Sequence, residues 1–146
     1  MATFERHADI EWKGSVTEGG GDVKAGTGAF SLPVTFPNRI GEPAGKTSPE
    51  ELMAAAHAAC FAMAMNAALG KKGGKAAKTH VTATVAADKG DSGIKIVSSK
   101  LKVVVEGLEG MSAEEFATFV KEADKGCPVS NAYRGTMQID VEGTVK

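Results

Sequence analysis

The chain has 146 residues, of which 42% are hydrophobic and only 5% aromatic, and a formal net charge of −1. These values predict a single globular domain over residues 1–146, with a core of aliphatic, Ala and Met side chains rather than rings. They exclude the concentrated basic face that a nucleic-acid partner requires, since Lys and Arg are scattered and the short cluster Lys71, Lys72, Lys75 solvates the exit of a helix.

Along the chain, the stretch Met1-Ala2-Thr3-Phe4-Glu5-Arg6 lacks a basic segment leading into an apolar one, so the expected location is the cytoplasm. A stable structural disulfide is disfavoured there. Residues 4–12 alternate, with Phe4, Arg6, Ala8, Ile10 and Trp12 on one side, which predicts a half-buried strand. Gly19-Gly20-Gly21-Asp22 predicts a turn, and Val23–Phe30 its partner strand. Residues 33–48 hold Pro33, Pro37, Gly41, Pro43 and Gly45 and read as a loop.

Ser48-Pro49-Glu50-Glu51 marks a helix start: an N-cap serine, proline at the first helical position and Glu51 as the capping-box partner. That assignment gives Glu51 a structural task and leaves Glu50 free. The helix continues to about Gly70. Its segment 52–69 is apolar except for His57 and Asn66, and is dominated by alanine. It reads as a buried central helix rather than a membrane span. Residues 79–88 and 94–106 predict a hairpin, Ser112-Ala113-Glu114-Glu115 a second capping box, Cys127-Pro128 the start of a short helix, and 136–145 a closing strand. The order β-β-α-β-β-α-α-β gives an α+β domain. A helix apolar on every side is not covered by a few strands of one small chain, so a homodimer is expected. Ala54, Ala55, Ala58, Ala59, Ala62 and Ala68 would let a twin helix approach closely.

The two cysteines are the residues that point to chemistry. Cys60 lies in the middle of the apolar helix; Cys127 stands before Pro128 at a break between helices. Cys60 reads either as a small buried hydrophobe or as a reactive thiol, and the second reading requires a cation to favour the thiolate. Arg39, on the segment feeding the helix, is the candidate cation, and Glu50 the acid that could pin it. Glu50 and Cys60 lie ~15 Å apart along one helix axis. Antiparallel pairing with a twin helix would bring Glu50 of one subunit towards Cys60 of the other. At Cys127 the backbone N–H groups of a helix start favour the thiolate; the alternative is a simple capping residue. His57, one turn before Cys60, reads as a satisfied core histidine or as half of a Cys–His nucleophile pair. His7 and His80 fall on strand patterns. The histidines and cysteines match no zinc spacing, and no glycine loop precedes a helix in phosphate-binding register.

Ser48-Pro49-Glu50-Glu51-Leu52 leading into Ala56-His57-Ala58-Ala59-Cys60-Phe61, together with Gly126-Cys127-Pro128-Val129-Ser130, resembles the OsmC/Ohr family, the osmotically inducible protein C and organic hydroperoxide resistance proteins. Trp12-Lys13-Gly14 and the element order extend the likeness over essentially the whole chain, and Arg39 in the segment before the helix resembles the OsmC branch. The resemblance implies an intertwined homodimer whose long central helices pack between β-sheets. It implies a thiol peroxidase that prefers organic hydroperoxides to hydrogen peroxide and acts in oxidative and osmotic stress defence. Cys60 then corresponds to the peroxidatic cysteine, Cys127 to the resolving cysteine, and Arg39 and Glu50 to the pair that activates the thiolate. Phe36, Phe61, Met63 and Met65 would make the surroundings apolar. The implied cycle uses no metal, flavin or haem and needs an external dithiol reductant, such as a lipoylated protein. The competing readings are a Cys–His hydrolase or acyl-transfer site and a dimeric binding protein without turnover.

Overall fold

The chain begins with an antiparallel three-stranded sheet in the order β1-β2-β3: β1 (Ala8–Lys13), β2 (Gly20–Ala25) and β3 (Ser31–Val34). This computed structural model describes residues 2–146. Trp12 stands opposite Gly21 in the β1–β2 register. A Cβ at Gly21 would meet the Glu11 carbonyl oxygen at 2.5 Å, so the glycines expected to form a turn instead permit close strand pairing. All six residues of β1 are exposed in the single chain, where its alternation predicts one buried face.

The proline- and glycine-rich stretch 33–48, expected to be a loop, begins with the last two residues of β3 and contains a one-turn helix, α1 (Phe36–Ile40). Thr35 caps α1 by accepting the Asn38 N–H, and Gly41 ends it. A helix of five residues is too short to show hydrophobic periodicity, which is why its sequence reads as a loop.

The long helix α2 (Pro49–Lys71) starts as its capping residues predict, with Ser48 Oγ accepting the Glu51 N–H at 3.1 Å. The box is not reciprocal: Glu51 Oε1 accepts from the Thr47 hydroxyl at 2.7 Å. Compact packing divides the chain at this point, into Met1–Leu52 and Met53–Lys146.

In the second unit β4 (Lys78–Gly90) and β5 (Gly93–Glu106) form the expected hairpin, with a bulge between Ala86 and Ala87. β6 (Gln138–Val145) adds to the other side of β5 in parallel. A parallel neighbour needs a long crossover. It contains α3 (Ala113–Ala123), a 3-10 turn (Asp124–Gly126) and α4 (Pro128–Tyr133). The capping box of α3 forms in full, between Ser112 and Glu115.

Leu101, Val103 and Val105 alternate inward along β5 and meet Phe116, Phe119, Val120 and Ala123 of α3, with Cys127. From α2 they receive Phe61, Met65 and Leu69, which with His57 form a stripe at every fourth residue. The expected burial of α2 is therefore confined to one stripe in the single chain. On another side Ala55, Ala59, Met63 and Ala67 are exposed, Met63 by 70%. α2 is long and apolar enough, by length and composition, to cross a membrane.

Candidate active site

Arg39 and Glu50 form a built pair in the first unit. α1 fixes Arg39 through its backbone N–H on the Thr35 carbonyl, and the first turn of α2 presents Glu50. Arg39 Nε lies 3.1 Å from both Glu50 carboxylate oxygens and Nη2 lies 2.6 Å from Oε1, so one edge of the guanidinium grips the carboxylate through two nitrogens. The side chains are 26% and 14% exposed. The Arg39 hydrogen bonds hold the Glu50 pKa below its ordinary value of 4.5, outweighing the burial that raises it. A half-buried, orientation-fixed guanidinium of this kind retains N–H groups for an anion or a polarised oxygen.

Beside this pair lies an apolar hollow of about 360 Å³, lined by Ile10, Trp12, Val16, Val34, Phe36, Arg39 and Pro49. Phe36 is where the sequence analysis expects apolar surroundings. Phe61 and Met65 are fully buried core residues and Met63 is exposed, so none of the three lines this hollow. Ile10 and Trp12 carried a signal, as apolar residues alternating on one strand; Val16 and Val34 had none.

In the second unit the two thiols are neighbours. Cys60 is half-buried, Cys127 is fully buried, and both are free. Burial pushes the Cys60 thiol above its ordinary pKa, and the adjacent Cys127 pushes the same way, because two thiols side by side resist ionising together. A hydrogen bond from the Val129 backbone acts in the opposite sense. Cys127 is the N-cap of α4, as its position before Pro128 predicts, and its sulfur accepts the Ser130 N–H at 3.5 Å.

His57 is a satisfied core histidine. Its Nδ1 lies 2.6 Å from Ser99 Oγ and its Nε2 lies 2.7 Å from Ser130 Oγ. Ser130 Oγ donates to Asp124 Oδ1 at 2.5 Å, and Arg134 Nη2 donates to Asp124 Oδ2 at 2.8 Å. A carboxylate only accepts, so the Ser130 proton points at Asp124 and the serine oxygen takes its bond from a protonated Nε2. Nδ1 then accepts from Ser99. Burial pushes the His57 pKa below 6.5, favouring this neutral ring, while Asp124 opposes the shift. With both nitrogens occupied by serines, His57 has none left to act as base for Cys60. Ser99, Ser130, Asp124 and Arg134 were not singled out from the sequence, although Ser130 stands in the Cys127-Pro128-Val129-Ser130 segment.

The OsmC-like protein family model matches residues 41–142. The chain belongs to the OsmC-like family. Relatives within it include peroxiredoxin OsmC of Escherichia coli strain K12, 35% identical over 141 residues that cover 96% of this chain and 97% of that protein. The organic hydroperoxide resistance protein-like 2 of Staphylococcus epidermidis strain RP62A is 31% identical, over 90% of this chain and 93% of its own length. Among solved structures, an organic hydroperoxide resistance protein OsmC from Legionella pneumophila superposes with a TM-score of 0.78, at 26% identity over 99% of both chains. The α+β fold of the OsmC-like family is thus the fold of this chain.

Proposed function

We propose that this OsmC-like protein is a cysteine-based peroxidase that reduces organic hydroperoxides, with Cys60 as the peroxidatic and Cys127 as the resolving thiol. The observation that carries the reading is the adjacency of two free thiols in a family whose relatives are named for organic hydroperoxide resistance. Cys60 thiolate attacks one peroxide oxygen, the O–O bond breaks, and the alkoxide leaves with a proton as the alcohol. Cys60 is left as a sulfenic acid. Cys127 then attacks the Cys60 sulfur, the sulfenic oxygen departs as water, and an intramolecular disulfide remains. An external dithiol, such as a lipoylated protein, returns both thiols by exchange.

Because burial opposes ionisation of Cys60, the reaction needs positive charge at the peroxide and sulfur. We assign that role to Arg39, which Glu50 holds in orientation, and the apolar hollow beside Arg39 suits an alkyl group better than water. The functional unit is a homodimer in the cytoplasm, the exposed stripe of α2 being the surface available to a twin. The bonds of His57 to Ser99 and Ser130 disfavour a Cys–His hydrolase.

A thiol count before and after one equivalent of an alkyl hydroperoxide tests the proposal. Loss of two thiols per chain is expected. A protein that only binds a ligand would keep both, and that result would discard the peroxidase reading.

A further inference from the structure

α4 is fastened to α2 by contacts on successive turns that run in opposite senses. Tyr133 donates its hydroxyl to the Met53 carbonyl at 3.0 Å. Its ring stands edge-on to His57 with centroids 5.2 Å apart, and one turn earlier in α4 Ser130 bonds His57 Nε2. One turn earlier again, Cys127 and the Val129 backbone meet Cys60. Each thiol therefore hangs one helical turn beyond the His57–Ser130 bond, Cys60 on the α2 side and Cys127 on the α4 side.

Ser130 is itself immobilised. Its hydroxyl is fixed to Asp124, which Arg134 braces, and its backbone N–H holds the Cys127 sulfur. The only polar side chain of α2 in this fastening is His57, which is fully buried and makes no bond to either sulfur. A buried polar cluster of this sort specifies one packing arrangement, because any slip leaves several groups unpaired at once.

We propose that His57 is a positioning residue for disulfide closure: its bond to Ser130 sets the spacing of Cys127 from Cys60, so that a sulfenic acid at Cys60 is captured before a second peroxide reaches it. The inference rests on the peroxidase reading above and adds the determinant of its second step. In that step the Cys127 sulfur forms a bond to the Cys60 sulfur and the sulfenic C–S–OH loses its oxygen as water. No further oxidant or reductant takes part. If closure is late, a second hydroperoxide oxidises the sulfenic acid to the sulfinic acid and the thiol is lost to the cycle.

The test compares the unmodified protein with His57→Phe, Ser130→Ala and His57→Gln, using cumene hydroperoxide as the probe. Disulfide closure is followed by rapid quench and mass spectrometry, and the sulfinic fraction at Cys60 is measured against peroxide concentration. The first oxidation is timed separately in a Cys127→Ser background. A misplacement near 1 Å slows a positioned reaction by about 10- to 100-fold. Closure should slow by that order in His57→Phe and Ser130→Ala, and sulfinic acid should form at correspondingly lower peroxide, while the first oxidation changes by less than about twofold. His57→Gln, whose amide N–H can reach Ser130 Oγ, should recover most of the closure rate. If His57→Phe does not fold, the Ser130→Ala and His57→Gln pair decides the matter alone. Unchanged closure in the folded variants overturns the inference, as does equal slowing of both steps. Failure of the unmodified protein to lose thiols would overturn the peroxidase reading and this inference with it, whereas normal thiol loss with unchanged closure removes this one only.

Discussion

At Glu50 the carboxylate keeps a double grip on one guanidinium, and its lowered pKa has a definite pH consequence. Its folded pKa lies below the ordinary 4.5, so the stabilisation is present above that value and is lost as pH falls through the folded pKa. A carboxyl-carbon NMR titration should show a Glu50 midpoint below the ordinary 4.5; an ordinary titration would mean that the pair does not persist in solution. Removing the charge by Arg39→Ala should lower the single-turnover rate with an alkyl hydroperoxide by about 100-fold, the usual cost of losing a donor aimed at developing charge. Arg39→Lys should recover only part, because an ammonium lacks the fork that engages Glu50 and an oxygen together. A stopped-flow rate unchanged in Arg39→Ala would remove Arg39 from the site. Arg39 and Glu50 were legible because the capping signals engaged Ser48 and Glu51 and left Glu50 without a local task. The His57 partners were not legible: Ser99 lies 42 and Ser130 lies 73 residues away, and hydrogen bonds at that separation follow only from the tertiary fold.

Between elements, the contact of α2 with α4 carries its own pH dependence. His57 has a folded pKa below 6.5 because burial disfavours the imidazolium, Asp124 opposing that shift and Arg134 adding to it. The unfolded chain therefore binds more protons just below pH 6.5, so stability is full above that value and falls as pH drops towards the folded pKa. Urea unfolding at a series of pH values should show this loss, and His57→Gln, which does not titrate, should flatten it; an identical slope in both proteins would assign the loss elsewhere. The approach of β6 to α3 is governed by a glycine. A Cβ at Gly143 would meet Val120 Cγ1 at 2.7 Å and Phe116 Cε1 at 3.0 Å, so Gly143→Ala should cost about 1–3 kcal/mol in the same experiment. Elements with local signals were readable in advance: the β4–β5 hairpin, the Ser112–Glu115 box and the Pro128 helix start each depend on a few adjacent residues. β3 and α1 were not, since a proline interrupts each, Pro33 and Pro37, and neither is long enough to show a period.

For the whole molecule, α2 poses a problem of solvation that the single chain leaves open. One stripe, His57, Phe61, Met65 and Leu69, is buried, while Ala55, Ala59, Met63 and Ala67 form a second stripe in contact with water. β1 adds Ile10 and Trp12, exposed by 54% and 38%. Water in contact with that much apolar surface is costly at roughly 25 cal/mol per Å², and the small side chains of Ala55, Ala59 and Ala67 let a second backbone come close enough to remove it. The helix composition made this visible before the structure did, because all-round hydrophobicity is a property of sequence alone, whereas which stripe the chain keeps for itself depends on where β5 and α3 pack. A twin α2 on the Ala59–Met63 stripe should give a sedimenting species of twice the 15.0 kDa chain mass at micromolar concentration. Met63→Glu places a charge in the middle of that stripe, on a side chain 70% exposed in the single chain, so the isolated fold tolerates it while the pairing does not. The variant should sediment as a monomer with an unchanged far-ultraviolet spectrum. If activity requires both subunits, it should also lose turnover while its two thiols remain countable. An unmodified protein that sediments at the mass of one chain would leave the stripe without a twin, and Met63→Glu would then change nothing.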